Sequence, residues 1–381
     1  MKKLIILLAT LFIITNYSAF TGNHSVKIAT IGPMSGLYIA FGEQMKTGAK
    51  VAVRDINSNG GVNGTMIELI AMDDTCDPKK AIEIANDLAK QGVVFVAGHF
   101  CSDASIAASS VYNKNEIIQI SPASSKALFT DNRPGPYIFR ISAREDLQAK
   151  IAGKYLFDNY KENNVAIIHD NTEYGKDLAD TTKEVFEGVG GNTLLYESFQ
   201  IPKGEVESEN IEIIFSKLIT KLKEKSIDTI YFGGFHKGAA LLISEIRAKG
   251  MDAKFISGDA LITSEYWSIT GDAGNGTLIT FIPDSTKDPK NKIFIEKLKN
   301  EGITPENYVL YTYAAIQLWA SAANAAGTNE SKFILDALNS LSYNTIIGEI
   351  SFDDKGDVNL PGYVWYVLEN GKYNYIKNFK N

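Results

Sequence analysis

The chain has 381 residues, 45% of them hydrophobic and 22% charged, and its formal net charge is -7. This length predicts two domains, and this composition is typical of a packed globular protein, which excludes disorder, collagen and coiled coil. The acidic balance predicts no nucleic-acid partner, because a face that binds nucleic acid needs excess lysine and arginine to offset the phosphates.

The N-terminal residues have the pattern of a secretory signal. Lys2 and Lys3 precede an apolar run over residues 4–14, and small and polar residues follow around Ala19. The run is shorter than the roughly 20 residues that a membrane span needs. A basic head followed by such a run is typical of a cleaved signal. We therefore expect residues 1–23 to be a signal peptide and the remaining chain to be exported to the periplasm.

Export makes the two cysteines informative. Cys76 and Cys101 both lie beyond the predicted signal. In an oxidising compartment an isolated pair most often forms one disulfide, and the alternative is two buried free thiols. A bridge between them would tie two neighbouring loops.

Strands and helices alternate along the exported chain. In the first half, strands are predicted at residues 26–31, 66–71, 93–97 and 117–120, with helices at 44–56, 78–90 and 103–112. In the second half, strands are predicted at 165–168, 193–199, 229–232 and 255–256, with helices at 175–186, 211–223 and 237–248. This alternation predicts an α/β fold with two doubly wound parallel sheets, each covered by helices on both faces.

A third block follows these two halves. It reads as a strand at 277–282, helices at 290–299 and 308–326, and a hairpin of 363–368 with 373–376 turned at Asn370-Gly371. A chain that returns to helices and then strands crosses between lobes more than once, which suits a hinge. The predicted lobes are 24–138 with 281–345, and 139–280 with 346–381.

Signatures of catalysis and cofactor binding are missing from the sequence. It contains no P-loop, no dinucleotide fingerprint, no G-x-S-x-G elbow and no H-E-x-x-H helix. The four histidines are far apart, and the three that follow strands, His99, His169 and His236, are expected to pack or to bond backbone. We predict no enzyme, cofactor or metal site. The alternative, an extracellular α/β hydrolase, needs a nucleophile–histidine–acid set that the sequence does not show.

The segments after the predicted strands suggest a ligand instead. Small hydroxyl residues follow strands of the first half, and Ser102 is predicted to be the N-cap of the helix from residue 103. A helix amino end attracts carboxylates, and Asp259 in the second half could pair an ammonium group. Together they predict a zwitterion site. The alternative is that the serines are ordinary caps and the nearby aromatic residues belong to the core.

Several of these segments resemble the periplasmic branched-chain amino-acid-binding proteins of ABC importers, which are type I periplasmic binding proteins. The matching segments are residues 31–36, 73–78, 98–102, 169–175 and 312–317. Cys76 and Cys101 stand where that family has its single disulfide. The resemblance implies two α/β lobes joined by three crossovers as a hinged clamp. One free amino acid would lie in the cleft. The chain would be a monomer, and its protein partners would be the membrane subunits of an ABC permease.

The resemblance also implies a set of site residues. Ser102, Ala123 and Ser125 would hold the α-carboxylate and ammonium, with Ser124 beside them. Tyr174 would close over the ligand, and Asp259 would pair its ammonium. The side-chain pocket would be walled by Phe41, Phe100, Phe235 and Tyr308.

Two departures from the family pattern leave the ligand's side chain open. Asp259 is one methylene shorter than the glutamate usual in Leu/Ile/Val binders, so it must move closer or act through a water. Phe41 and Phe235 replace hydroxylated aromatic residues, which makes the pocket more apolar. The alternatives are the same clamp binding aromatic or other amino acids, or a clamp that feeds a sensor.

Overall fold

The computed structural model describes residues 25–201, 208–360 and 362–376. The predicted signal peptide, residues 1–23, lies outside the described residues. Within these ranges the chain forms two large sheets, each flanked by helices, and a small two-stranded sheet.

The first large sheet, with its helices, forms lobe 1. Its five strands are all parallel, in the order β2-β1-β3-β4-β5. They are β1 (Val26–Gly32), β2 (Ile67–Asp73), β3 (Phe95–Gly98), β4 (Ile118–Ser121) and β5 (Ile138–Arg140). The helices between them are α1 (Ile39–Ser58), α2 (Pro78–Lys90), α3 (Ser102–Lys114) and the short α4 (Leu128–Asp131). Strands β3 and β4 are buried throughout, as expected of a sheet covered on both faces.

The second large sheet, with its helices, forms lobe 2. Its order is β14-β13-β10-β9-β8-β6-β7. The strands are β6 (Val165–His169), β7 (Thr193–Ser198), β8 (Thr229–Gly233), β9 (Lys254–Ser257), β10 (Leu278–Phe281), β13 (Val364–Glu369) and β14 (Lys372–Tyr375). The helices are α5 (Glu145–Tyr160), α6 (Glu173–Gly188), α7 (Ser208–Glu224), α8 (His236–Ala248) and α9 (Ser264–Thr270).

Lobe 2 combines a parallel sheet with an antiparallel edge. Strands β6 to β10 are parallel, whereas β13 pairs antiparallel with both β10 and β14. The turn between β13 and β14 is the predicted Asn-Gly turn, and both Asn370 and Gly371 have positive φ, 49° and 75°. The hairpin therefore extends a parallel sheet without a further helix.

The elements between β10 and β13 return to lobe 1. They are α10 (Lys292–Asn300), α11 (Asn307–Ala326), α12 (Ser331–Ser340), β11 (Tyr343–Thr345) and β12 (Gly348–Ile350). Helix α11 packs against α1, where a Cβ on Gly48 would lie 2.2 Å from the Val309 carbonyl oxygen. Trp319 of α11 stacks on Phe95 of β3, with ring centroids 5.1 Å apart. These contacts make α11 part of the lobe 1 core.

The chain thus passes between the lobes three times. We call residues 141–144 the first crossover, 282–291 the second and 351–363 the third. The two lobes and three crossovers predicted from the sequence are confirmed. The predicted lobe boundaries at 138 and 280 fall inside β5 and β10, and their exact positions stay predictions.

Candidate ligand-binding site

The two lobes meet at the carboxyl ends of their parallel strands. Residues that follow β1, β3 and β4 in lobe 1 contact residues that follow β6 and β8 in lobe 2. This edge is where open α/β sheets bind ligands.

An aromatic cluster lies at this junction. It consists of Phe41, Phe100, Phe235 and Tyr308, the four residues predicted to wall the pocket, and each is at most 7% exposed. Phe41 stacks on Phe100 with centroids 4.5 Å apart, and Tyr308 presents a T-shaped contact to both rings at 5.5 and 5.0 Å. Phe235 of lobe 2 completes the cluster at 6.3 Å from Phe41. The structure therefore brings the predicted wall residues from both lobes together.

Two further rings join the cluster that the sequence did not single out as pocket residues. Tyr38 lies 4.3 Å from Phe235 between centroids, and His236 contacts Phe41 edge-on at 4.8 Å. His236 is buried and its Nε2 lies 2.9 Å from the Glu265 carboxylate. The position of His236 after a strand marked it as a candidate in the sequence, but its contact with Phe41 of the other lobe was not visible there.

Asp259 is a buried acid at the exit of β9. Its Oδ1 accepts hydrogen bonds from the Tyr174 hydroxyl at 2.8 Å and from Gln148 Nε2 at 3.1 Å. Burial raises the pKa of Asp259, and the bonds from Tyr174 and Gln148 oppose that rise. Among the described residues, no lysine or arginine forms an ion pair with this carboxylate. Because this buried carboxylate lacks a cationic side chain as its partner, a ligand cation could neutralise its charge.

Gln148 of α5 was not predicted as a site residue. Its Nε2 also lies within hydrogen-bond distance of the Thr280 hydroxyl, at 3.0 Å, and carbonyl, at 3.2 Å. It therefore positions Asp259 against the lobe 2 sheet. The buried face of α5 carries Glu145 and Gln148 beside two alanines and a glycine, with Leu156 as its one large apolar side chain. Because that face is not apolar, hydrophobic periodicity gave no sign of the helix.

Residues 121–126, which we call the serine loop, form the lobe 1 side of the site. The Ser124 hydroxyl lies 2.7 Å from the Ser105 hydroxyl, 3.2 Å from the Phe100 carbonyl and 3.3 Å from the His99 carbonyl. It is therefore engaged inside lobe 1. The Ser125 hydroxyl lies 3.5 Å from the Glu145 carboxylate, and the side chain of Ala123 is 8% exposed.

The predicted N-cap role of Ser102 is wrong. Cys101 is the N-cap of α3, and Ser102 is the first helical residue. The Ser102 hydroxyl instead accepts the backbone N–H of Lys126 at 3.2 Å. The helix starts one residue earlier than predicted, and the Ser102 hydroxyl, which does not cap α3, connects this helix to the serine loop.

The predicted disulfide is confirmed and lies under the cluster. Cys76 and Cys101 are bonded, with Cα atoms 5.4 Å apart, and both pack against the aromatic rings. Beside them His99 is buried between the Asp74 carboxylate, at 2.6 Å, and the Tyr112 hydroxyl, at 2.9 Å. These contacts hold the loop after β3 that carries Phe100 and Ser102.

A lysine bridges the lobes at the rim. The Nζ of Lys126, in lobe 1, lies 2.8 Å from Asp177 and 3.4 Å from Glu173, both on α6 of lobe 2. It also lies 3.7 Å from Asp103 of its own lobe. Near it, burial raises the pKa of Glu145 to about 8, and the charge of Asp177 adds to that rise.

The space beside Asp259 is small in this conformation. A cavity of about 10 Å³ is bounded by Pro122, Ser142, Asp259, Tyr308 and Tyr363. This is room for about one water molecule.

The described ranges contain neither a metal-binding cluster nor a helix suited to cross a membrane. Across them, no group of three or more His, Cys, Asp or Glu side chains is placed to hold a metal ion. None of the helices described there has the length and apolar character that a membrane crossing needs.

Two α/β lobes linked by three crossovers, with a buried acid and aromatic rings where they meet, define a hinged two-lobed binding protein. The family model for periplasmic binding proteins matches residues 25–372. The chain belongs to the periplasmic binding protein family, and the resemblance read from the sequence is confirmed.

Individual relatives are similar over nearly the whole chain. A "Leu/Ile/Val-binding protein homolog 1" of Brucella suis is 41% identical over 350 residues, covering 91% of each chain. A "leucine-, isoleucine-, valine-, threonine-, and alanine-binding protein" of Pseudomonas aeruginosa is 33% identical, covering 88% of this chain and 87% of its own. The branched-chain amino acid transporter substrate binding protein LivJ of Streptococcus pneumoniae, solved in complex with isoleucine, has a TM-score of 0.81. It is 23% identical, over 93% of this chain and 100% of its own.

Proposed function

We propose that this protein captures a branched-chain amino acid, leucine, isoleucine or valine, between its lobes and delivers it to an ABC permease. The observation that carries the proposal is the buried Asp259 carboxylate, which has no lysine or arginine partner among the described residues and lies beside aromatic rings. A ligand ammonium would supply the missing charge, because an unpaired buried carboxylate is costly. The rings would bury a leucine-sized side chain, worth roughly 2–3 kcal/mol.

The two ends of the amino acid would bind to different lobes. Ser102, Ala123 and Ser125 of lobe 1 would take the α-carboxylate, and Asp259 with Tyr174 of lobe 2 would take the ammonium. Since neither lobe supplies both the serine cluster and Asp259, a bound amino acid favours the closed clamp through its higher affinity for that state. Closure would then signal occupancy to the permease.

The proposal includes the protein's location and partners. The chain would be exported through residues 1–23 and act as a monomer in the periplasm, without catalysing a reaction. The basic head and apolar run of the N-terminus support export, and the Cys76–Cys101 bridge fits an oxidising compartment. The membrane subunits of an ABC permease would be its protein partner.

An aromatic amino acid is the second candidate ligand. The stacked rings of Phe41 and Phe100, with Phe235 across the junction, favour it because aromatic rings pack well on one another. A clamp that reports to a sensor would use the same contacts.

Calorimetric titration of the exported protein with leucine, isoleucine, valine, phenylalanine and alanine tests the proposal. We expect saturable binding of the three branched-chain amino acids, tighter than that of phenylalanine or alanine. A matching rise in Tm is expected, since a ligand at about 100 times its Kd adds about 2.7 kcal/mol to stability. Tighter binding of phenylalanine would replace the first candidate by the second, and no binding to any of them would refute the amino-acid clamp.

A further inference from the structure

Arg140 is a fully buried arginine at the carboxyl end of β5, where the chain leaves lobe 1. One nitrogen of its guanidinium, Nη1, donates to two carbonyl oxygens of the serine loop: that of Ser124 at 3.1 Å and that of Lys126 at 2.8 Å. Its Nε donates to Asp357 of the third crossover at 2.5 Å. A single side chain therefore joins the serine loop to a segment between the lobes.

The guanidinium has little freedom to turn. Asp357 also accepts hydrogen bonds from the Thr130 hydroxyl at 2.7 Å and from Arg144 Nη1 at 2.9 Å. Thr130 in turn accepts a bond from Arg140 Nη2. Moving a buried charge away from its partners is costly, so these bonds fix the direction in which Nη1 points.

The bond to the Ser124 carbonyl determines where the next peptide N–H points. In a trans peptide unit the C=O and the following N–H point in opposite directions. Since the Ser124 oxygen faces Arg140, the N–H of Ser125 faces away from it. The hydroxyl of Ser142, in the first crossover, donates to the same Ser124 oxygen at 2.9 Å and supports this orientation.

The N–H of Ser125 also differs from its neighbours in the loop. The N–H groups of Ala123 and Ser124 donate to the Ser121 hydroxyl, and that of Lys126 donates to the Ser102 hydroxyl. Among the residues that the structure describes, none accepts a hydrogen bond from the Ser125 N–H. It is the donor in this loop that is left for a ligand oxygen.

We propose that Arg140 is a positioning residue of the binding site, which orients the Ser124–Ser125 peptide so that the Ser125 N–H donates to the ligand's carboxylate. The inference rests on the proposed function and adds to it a residue that does not touch the ligand. Through Asp357, the same guanidinium makes the orientation of this donor depend on the third crossover.

Arg133 offers a matched control. Its Nη1 donates to the Ile138 carbonyl at 3.0 Å and its Nη2 to the Asp354 carbonyl at 2.6 Å. It thus ties the same crossover to the same strand, and its guanidinium lies over a phenyl ring at 5.8 Å, as that of Arg140 does at 5.5 Å. It makes no hydrogen bond to the serine loop. Arg133→Lys measures the cost of loosening the crossover alone.

The test compares Arg140→Lys with Arg133→Lys, using leucine as the probe in calorimetry and ¹⁵N-resolved NMR of the exported protein. Lysine keeps the charge but loses the two-carbonyl contact. We expect the Kd for leucine to rise about tenfold or more in Arg140→Lys and less than about threefold in Arg133→Lys. At saturating leucine, the downfield shift of the Ser125 amide proton should be present in the wild type and in Arg133→Lys, and lost in Arg140→Lys.

A weaker affinity with an unchanged Ser125 shift would overturn the inference, because Arg140 would then stabilise the lobe without orienting the donor. Equal losses in both variants would also overturn it. If Arg140→Lys does not fold, Thr130→Val takes its place, since it removes one acceptor of the guanidinium, and a smaller loss of the same shift is expected. Failure of the wild type to bind any of the five amino acids would refute the proposed function itself, which is a different result.

Discussion

The substitution Asp259→Asn tests the charge at the centre of the proposed site. Asparagine keeps an oxygen that can accept the bonds from Tyr174 and Gln148, now at 2.8 and 3.1 Å, and it removes only the negative charge. Breaking a buried charge pair costs about 2–5 kcal/mol, which corresponds to a rise in Kd of about 30-fold to about 4,000-fold. Calorimetric titration with leucine measures this rise in Kd.

The same substitution should act in the opposite direction on the stability of the protein without amino acid. Burial raises the pKa of Asp259, so its charge destabilises the folded chain once it ionises. A raised pKa of an acid means that stability is lost as the pH rises from the unfolded pKa through the folded one. Asparagine has no such loss. We therefore expect Asp259→Asn to have a higher Tm than the wild type at about pH 7 and a smaller advantage at about pH 4.

Asp284→Asn is the matched control. Asp284 lies in the second crossover, where it accepts bonds from the N–H and hydroxyl of Thr286, and asparagine can serve there as well. Its affinity for leucine should stay unchanged. The reasoning about Asp259 would be refuted by a change in Kd of less than about threefold, or by a Tm that falls equally at both pH values.

Three further predictions concern the rim, the hinge and a buried acid. Lys126→Gln removes the ion pair with Asp177, so the Kd for leucine should rise about fivefold, which corresponds to about 1 kcal/mol, and should no longer depend on salt. Calorimetry at two ionic strengths measures both effects. An unchanged salt dependence would contradict this prediction. Gly356→Ala places a Cβ 2.4 Å from a carbonyl oxygen of β5 at φ +81°, and should cost about 2 kcal/mol or more in a denaturant titration. Gly250→Ala, at φ +76° with nothing within 4 Å, is its control and should cost less. Because the pKa of Glu145 is raised to about 8, the wild type should lose stability as the pH rises from about 4.5 to about 8, and in Glu145→Gln the melting curves should lack that part of the slope; parallel curves would disprove it.

Elements with a clear period or cap could be predicted from the sequence. Helix α2 was predicted with its observed bounds, and the structure shows Pro78 in its first turn and Asp77 as its N-cap, accepting the N–H groups of Lys79 and Lys80. The β13–β14 hairpin followed from its Asn-Gly turn. In both cases a few neighbouring residues determine the local structure, so the element can be predicted from a single sequence.

Helix α5 and strand β5 were missed for different reasons. Helix α5 buries polar residues, Glu145 and Gln148, that hold the site, so its inner face does not read as apolar. Strand β5 has three residues, too few for a periodic pattern. Local patterns cannot show that a polar face is buried, because burial depends on how the lobes pack.

The same limit applies to the site. The serines, Asp259 and the aromatic residues were found because they follow strands or match a known family. Tyr38 and His236 were not assigned to the pocket, since each gains its role from a ring on the other lobe. Such contacts depend on how the two lobes are placed relative to each other, and the sequence of a single segment does not show that placement.

The order of elements along the chain has a consequence for biosynthesis. A nascent chain that has reached residue 300 lacks α11, which covers α1 of lobe 1, and β13, which pairs with β10 of lobe 2. Neither core can close until translation is almost finished, because both depend on contacts between distant parts of the chain, which form slowly. The polypeptide would therefore leave the ribosome incompletely folded, which suits the proposed export, because a translocation channel can still thread a chain in that state.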